Sequence, residues 1–324
     1  MKKDHYIITG ATGLIGSALV GRLVSERDVE LTCPVRDMDK VEGLFDTDLR
    51  NNVNWVYVPD EKYLKYLDNL DGSYDYIIHC ASPTSSRFFV DHPVETLSYN
   101  ISSMTSLLQY ARNNRVKSMV YLSSLEVYGT VPDNSAAVTE DIQGYVNPLE
   151  TRSSYNMAKR ICESLCYAFY TEYDVPVKIV RLTQTVPARV GENDMRLFSQ
   201  FAHHAAKGED IDLHTDGTSA RQYIHIEDAL DAILCVLYHG RPGEAYNAAN
   251  EETFISARDL ASFIQERFNP SGKVVYRPRE DMGYAPATKI KLDTSKLRGL
   301  GWSPKYGLSD MFGNLIEHLK SDLR

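Results

Sequence analysis

Long apolar runs are missing from this 324-residue chain: no run approaches the roughly 20 residues of a membrane-spanning helix. The start MKKDHYIITG has two lysines but no long apolar stretch, so no secretory leader is expected. Cysteine is scarce. The five residues Cys33, Cys80, Cys162, Cys166 and Cys235 are odd in number and widely spaced. That pattern excludes a disulfide framework and points to packed, reduced thiols in a cytoplasmic protein. Cys162 and Cys166 share a helical face, but two thiolates without a second ligand pair make a poor zinc site, and no metal is expected. A basic excess is missing too. The 35 basic and 44 acidic residues give a formal charge of −9. No basic stripe offers itself to nucleic acid, and an acidic surface argues against anionic membranes as the main partner. Internal repeats and low-complexity tracts are absent.

What remains is an ordinary globular composition, 43% apolar and 24% charged, in a chain long enough for two domains. HYIITG reads as a strand, GATGLIG as a glycine turn and SALVGRLVSE as a helix. Further strands are expected at VELTCPV, NVNWVYV, YDYIIHCAS, VKSMVYLSS and VPVKIVRL, with helices over 96–113 and at SYNMAKRICESLCYAFYTEY. Alternating strands and helices imply a Rossmann-type, doubly wound parallel sheet. After Leu182 this rhythm breaks into short segments, with helices expected over 195–207, 226–238, 256–268 and 308–319. Residues 1–180 are read as a dinucleotide-binding domain and 181–324 as a mainly substrate-binding lobe. Part of 222–250 is expected to pack back on the first domain.

Gly10, Gly13 and Gly16 follow the first strand and open the first helix. The first glycine permits the tight turn, the second a close backbone approach to a pyrophosphate, and the third close helix–strand packing. The helix start offers N–H groups to phosphate. With Thr12, Leu14 and Ile15, this turn is the expected cofactor cradle. At the end of the second strand, Arg36 stands where an acid would bind the ribose 2′-hydroxyl of NAD. It therefore favours NADP, while Asp37 keeps NAD open. Asp60, after the third strand, is placed to meet the adenine.

Tyr155 and Lys159 are four residues apart on one helical face. A lysine ammonium beside a phenol favours the phenolate, and such a tyrosine can exchange a proton with a carbinol or carbonyl. Ser123 and Ser124 end a strand at the carboxyl edge of the sheet, where open α/β folds bind ligands.

With these motifs (GATGLIG, SSLEVYG, YNMAKR and RQYIHIEDA) the chain resembles the extended short-chain dehydrogenase/reductases, the NAD-dependent epimerase/dehydratase family that acts on nucleotide sugars. The resemblance covers most of the chain. It implies that Ser124 hydrogen-bonds the substrate hydroxyl, that Tyr155 is the catalytic base, and that Lys159 holds the nicotinamide ribose and tunes Tyr155. It places Asn100 as a support for the active-site helix and Glu126 as a proton carrier of the kind found in dehydratases and decarboxylases. It also implies a homodimer built on the helices around residues 96–113 and 155–173.

Among family members the chain most resembles the UDP-glucuronate decarboxylases. HCASPTS is similar to their loop after the fourth strand, which brings in Ala81 for the cofactor and Ser82 and Pro83 for substrate. NPLETRSSYNMAKR fits their pattern N-P-x-x-x-R-x-x-Y-x-x-x-K-R, and NDMRL is similar to their NDGRV. On this resemblance Arg189, Arg196 and Arg221 are candidate contacts for diphosphate or sugar. Three features depart from the pattern. Gln184 replaces a substrate-contacting asparagine, REDMGYAPATKIKLDTSKL lacks the usual arginines although it holds Lys289, and Arg36 replaces an acid.

The expected activity is transient oxidation of a sugar C4 hydroxyl by a bound nicotinamide, leading to dehydration, epimerisation or decarboxylation. The alternatives are an NADPH-dependent reductase of a keto-sugar or small carbonyl compound, and a nicotinamide-sensing binding protein without catalysis. The scattered histidines His79, His203, His204, His214 and His225, and the tyrosines Tyr167, Tyr170 and Tyr173, are read as packing or surface residues.

Overall fold

The computed structural model describes residues 3–131, 137–192, 194–277 and 288–323. Its first half alternates strand and helix. β1 (Asp4–Thr9) leads into α1 (Leu14–Glu26), β2 (Val29–Val35), α2 (Met38–Leu44), α3 (Thr47–Asn51) and β3 (Asn54–Tyr57). α4 (Asp60–Asp68), β4 (Tyr76–His79), α5 (Ser86–Asp91), α6 (Pro93–Asn114) and β5 (Ser118–Ser124) follow. The long α7 (Ser154–Tyr173) then leads to β6 (Val177–Leu182). The second half holds β7 (Gln184–Val186), α8 (Leu197–Lys207), β8 (Ile211–Leu213), β9 (Ala220–Arg221), β10 (Tyr223–His225), α9 (Ile226–His239) and β11 (Ala245–Ala248). It ends with β12 (Ile255–Ser256), α10 (Ala257–Phe268), β13 (Val274–Tyr276), β14 (Lys289–Ile290), α11 (Ser295–Arg298) and α12 (Leu308–Asp322).

Seven strands form one parallel sheet in the order β11-β6-β5-β4-β1-β2-β3. This is a Rossmann-like α/β fold. Successive side chains of a strand point to opposite faces, and β1 uses both: Tyr6 and Ile8 enter the layer under α1 and α9, Ile7 the layer under α4, α6 and α7. Helices cover both faces, which is why the strands read as continuous apolar runs. Strand order reverses between β1 and β4. The carboxyl ends of β1, β4 and β5 therefore open on one crevice, as ligand-binding α/β sheets require.

α9 packs on the sheet layer, and β11 extends the sheet beyond β6. A third core, with Phe198, Phe201, Leu260, Ile264, Phe312 and Leu315, joins α8, α10 and α12. Buried Asp228 of α9 ties the C-terminal segment back to the sheet, accepting from the N–H of Lys305 at 2.9 Å and of Tyr306 at 3.1 Å.

Several local expectations change. The polar stretch after β2 folds into α2 and α3, because Asp37 and Asp46 each cap a first turn through the N–H of Lys40 and Leu49. α6 begins at Pro93 rather than Thr96, since proline is well suited to a first helical turn. α4 and α5 occupy segments for which no helix is expected from the sequence. Asn193 and residues 278–287, which include much of the REDMGYAPATKIKL stretch, lie outside the described residues. Among the described residues no helix is long and apolar enough to cross a membrane, and no three His, Cys, Asp or Glu side chains converge as a metal site.

Candidate active site

The glycine turn closes on itself through the Gly13 N–H, which donates to the Gly10 carbonyl at 2.9 Å. Gly10 has φ +74°, a left-handed backbone that favours glycine, and a Cβ there would stand 2.7 Å from the Ala81 nitrogen. A Cβ on Gly16 would lie 2.1 Å from the Gly10 oxygen. No side chain caps the start of α1, so its first N–H groups face the turn. A turn kept bare of side chains at a helix N-terminus suits the pyrophosphate of a dinucleotide.

Beside the turn lies a cavity of about 190 Å³. Its walls include Gly10, Thr12 and Gly13, the Arg36 end of β2, and Ala81 and Ser82 after β4. Tyr63 of α4 and Tyr99 of α6 complete it. The sequence reading missed these two tyrosines, although Tyr99 directly precedes the singled-out Asn100. Arg36 lies against both rings and donates to Asp60 at 2.8 Å. Asp60 thus holds Arg36 through one carboxylate oxygen and is otherwise exposed. Asp37 is likewise engaged as the cap of α2. Asn100 is buried and anchored: its amide donates to the Thr96 carbonyl at 2.7 Å, and its oxygen accepts the Ser82 hydroxyl at 2.8 Å. It fixes the HCASPTS loop to α6.

Ser124, Tyr155 and Lys159 come together at the end of β5. Ser124 lies near enough to the Tyr155 phenol to favour its ionised form, and the Tyr155 ring is buried flat against Phe89. The Lys159 ammonium lies 5.6 Å from the Tyr155 ring centroid and donates to the Leu122 carbonyl at 2.8 Å. The electrostatics correct one expectation. Burial, followed by the nearby Glu126, pushes the Tyr155 phenol well above its ordinary range, and Ser124 and the Arg152 charge only partly oppose this. Burial also brings Lys159 down to about 8. In this protein desolvation outweighs the expected help from the lysine charge.

Glu126 is half-buried in the one-turn helix after β5. The Asn156 amide donates to its backbone oxygen at 2.7 Å and its carboxylate at 3.2 Å. Behind it, the neighbouring serine turns the other way: Ser123 donates to Glu163 at 2.6 Å, and Glu163 pairs with Arg181 at 2.7 Å. Composition gave no sign of this buried ion pair, which lines a second cavity of about 290 Å³ with Arg160 and Tyr167.

The remaining candidates are more scattered. Gln184 begins β7 and is half-buried; Arg189 is exposed in the loop beyond it. The Arg196 guanidinium is held by Asp194, with Nε 2.9 Å from Oδ1. Arg221 is half-buried on β9, and Lys289 is exposed on β14. Among the described residues none of these four basic side chains forms an ion pair with Glu126 or a hydrogen bond with Ser124 or Tyr155.

The model of the NAD dependent epimerase/dehydratase family matches residues 6–249. UDP-glucuronic acid decarboxylase 3 of Arabidopsis thaliana is 28% identical over 308 residues, covering 94% of this chain and 85% of that protein. The crystal structure of UDP-glucose 4-epimerase from Thermotoga maritima with UDP-glucose superimposes with a TM-score of 0.83 at 21% identity, over 99% of this chain and 100% of that one. The dTDP-glucose 4,6-dehydratase of Streptomyces venezuelae, with NAD bound, gives 0.79 at 22% identity, over 98% and 97%. These two likenesses establish a shared fold.

Proposed function

The chain belongs to the NAD-dependent epimerase/dehydratase family, and from that premise we propose that it is an enzyme modifying the sugar of a nucleotide-sugar through transient oxidation at C4. The observation that carries this reading is the convergence of Ser124, Tyr155 and Lys159, with the Lys159 ammonium 5.6 Å from the Tyr155 ring, at the sheet edge from which the glycine cradle also emerges. When bound, the nicotinamide supplies an acceptor for the C4 hydride and can return it. Gly10, Thr12, Gly13, Leu14, Ile15 and Gly16 would hold its pyrophosphate, with Ala81 and Asn100 shaping the pocket and Lys159 reaching its ribose. Of the two dinucleotides we assign NADP, because Arg36 borders the cavity where a 2′-phosphate would sit.

Tyr155 in its ionised form, which Ser124 and the Arg152 charge favour against burial, takes the proton of the C4 hydroxyl, whose oxygen accepts from Ser124. A ketone at C4 then acidifies the neighbouring C–H, or lets a C5 carboxylate leave as carbon dioxide with its electron pair passing to the carbonyl. Glu126 carries the proton removed from, or restored to, that neighbouring carbon. Ser82, Pro83, Gln184, Arg189, Arg196 and Arg221 are assigned to the nucleotide-sugar. The similar Arabidopsis protein is named for decarboxylation, which makes UDP-glucuronate the first compound to test. We further assign a homodimer formed through α6 and α7, and a cytoplasmic location in keeping with five unpaired thiols; the mass of the protein in solution tests the dimer.

The test is incubation of the purified protein with UDP-glucuronate, UDP-glucose and dTDP-glucose, followed by mass spectrometry and chromatography of the products. Loss of carbon dioxide, loss of water or an isomer supports the reading. Unchanged sugars in every case, with the dinucleotide bound, overturn it. Arg36 also favours a second reading, a keto-sugar or carbonyl reductase, which steady NADPH consumption would reveal.

A further inference from the structure

The Lys159 ammonium is buried, and among the described residues its one hydrogen bond runs to the Leu122 carbonyl at 2.8 Å. Most of its charge must therefore be met by something else. Glu163, one turn further along α7, is an acid whose charge reaches it, but that carboxylate is already held by Arg181 and Ser123. What faces the ammonium is the ring of Tyr121 on β5, with Nζ over it at 4.8 Å from the centroid. The Tyr155 ring is further off, at 5.6 Å. Tyr121 is 1% exposed and does not border the cofactor cavity. Its hydroxyl has no hydrogen-bond partner among the described residues. Its ring stacks on His79, with centroids 5.7 Å apart and planes 25° from parallel. His79 Nδ1 is in turn hydrogen-bonded with the Thr9 hydroxyl at 2.6 Å, and burial, with the Lys159 charge, brings the His79 pKa down to about 3.

A cation within about 6 Å of a tyrosine ring centroid is drawn to the negative ring face, most strongly where water is excluded. The neutral His79 braces that ring without placing a second cation beside Lys159. A ring suits this position better than a carboxylate. A carboxylate would lock the ammonium in an ion pair and add a negative charge near Tyr155, whose phenol Glu126 already pushes up. A buried hydroxyl without a partner costs stability. Hydrogen bonding therefore does not account for a tyrosine here, and the ring does. We propose that Tyr121 is a positioning residue for the reaction: its ring face holds the Lys159 ammonium in place beside Tyr155 without neutralising it. The inference rests on the nucleotide-sugar reading, in which Lys159 reaches the nicotinamide ribose, and adds a residue that acts only through Lys159.

The test is a double-mutant cycle of Tyr121→Leu, Lys159→Met and the two together. It is read by fluorescence titration with whichever of NADP and NAD the wild type binds more tightly. Turnover is read with the sugar the wild type accepts among UDP-glucuronate, UDP-glucose and dTDP-glucose. Alone, Tyr121→Leu should weaken dinucleotide binding about fivefold and lower kcat about tenfold or more, while KM for the sugar moves less than about threefold. On top of Lys159→Met the same change should weaken the dinucleotide less than about twofold, because the cation it held is gone. Tyr121→Phe keeps the ring and should stay within about threefold of wild type in both readouts. A 3,5-difluorophenylalanine in place of Tyr121 keeps the shape but weakens the negative face, so it should fall between Tyr121→Phe and Tyr121→Leu. It replaces Tyr121→Leu in the cycle if that variant does not fold. Equal losses with and without Lys159→Met, a Tyr121→Phe as poor as Tyr121→Leu, or a raised KM with kcat unchanged overturns the inference. A wild type that binds dinucleotide but leaves all three sugars unchanged sinks the nucleotide-sugar reading, and the cycle on the dinucleotide still decides the role of Tyr121.

Discussion

The ring of Phe89 lies flat against the ring of Tyr155, with centroids 4.2 Å apart and planes 8° from parallel. α5, which carries Phe89, was not foreseen from the sequence, yet it supplies one wall of the tyrosine's pocket. That wall keeps water from the phenol, and burial is the first cause of its raised pKa. Phe89→Leu keeps an apolar contact but opens the ring face. Water should then lower the Tyr155 pKa toward its ordinary value, moving the acidic limb of the kcat/KM profile, below which the base is protonated, to lower pH. Looser ring placement should reduce the maximum rate about tenfold. A pH–rate profile of both proteins checks this, and an unmoved limb argues against Phe89 as the shield.

Lys159 is a buried cation whose ammonium has, among the described residues, a single hydrogen-bond acceptor, the Leu122 carbonyl. Its pKa falls from 10.5 to about 8 on burial, so the folded protein holds that proton less tightly than the unfolded chain. The cost to stability is fully present below pH 8 and fades as pH rises from 8 toward 10.5. Lys159→Met should therefore be more stable than wild type at pH 7, by about 1–3 kcal/mol after losing one hydrogen bond. Its advantage should shrink above pH 8. Activity should drop at least a hundredfold, because the charge serves the site rather than the fold. Urea melts at pH 7 and pH 10, beside a turnover assay, check both halves.

Arg36 and Asp60 form an exposed ion pair at the cavity rim, so the pair itself adds little stability. Its importance is competitive: Asp60 occupies the guanidinium that a 2′-phosphate would need. Asp60→Asn should raise affinity for NADP several-fold and leave NAD nearly unchanged. Arg36→Asp should shift the NADP-to-NAD affinity ratio at least tenfold toward NAD. Fluorescence titration with both dinucleotides measures the ratios, and equal ratios in all three proteins would show that Arg36 does not read the ribose.

How much of this could be read in advance follows from the range of the interactions. The glycine turn, the Tyr155–Lys159 pair and the serines at the end of β5 were legible because each depends on neighbours within one strand–turn–helix. The sheet was legible for the same reason, since helices on both faces leave continuous apolar runs. The partners of Arg36 were not legible. Tyr63 and Tyr99 reach it from α4 and α6, and no local pattern links residues 36, 63 and 99. The direction of the Tyr155 shift was misjudged because helical spacing reveals a neighbouring charge but not desolvation. Tyr121 was visible only as a letter in a strand; its place under the Lys159 ammonium is a property of packing.

The Glu163–Arg181 pair shows the same limit with a measurable consequence. The two residues come from α7 and β6, are about nine-tenths buried, and meet at 2.7 Å. Glu163 also accepts the hydroxyl of Ser123, next to Ser124, so the pair fixes the strand end that carries the active-site serine. Removing one partner strands the other charge in a poorly solvated place. Arg181→Met should cost about 3–5 kcal/mol, whereas replacing both, as Arg181→Met with Glu163→Leu, should restore most of that loss. The double variant should still turn over more slowly than wild type, because Ser123 has lost its acceptor and the end of β5 is held less firmly. Thermal melts of the two single variants and the double variant give the coupling energy, and a turnover assay on the double variant separates stability from positioning. Additive losses with normal turnover would mean that the pair neither compensates its own burial nor holds the serines in place.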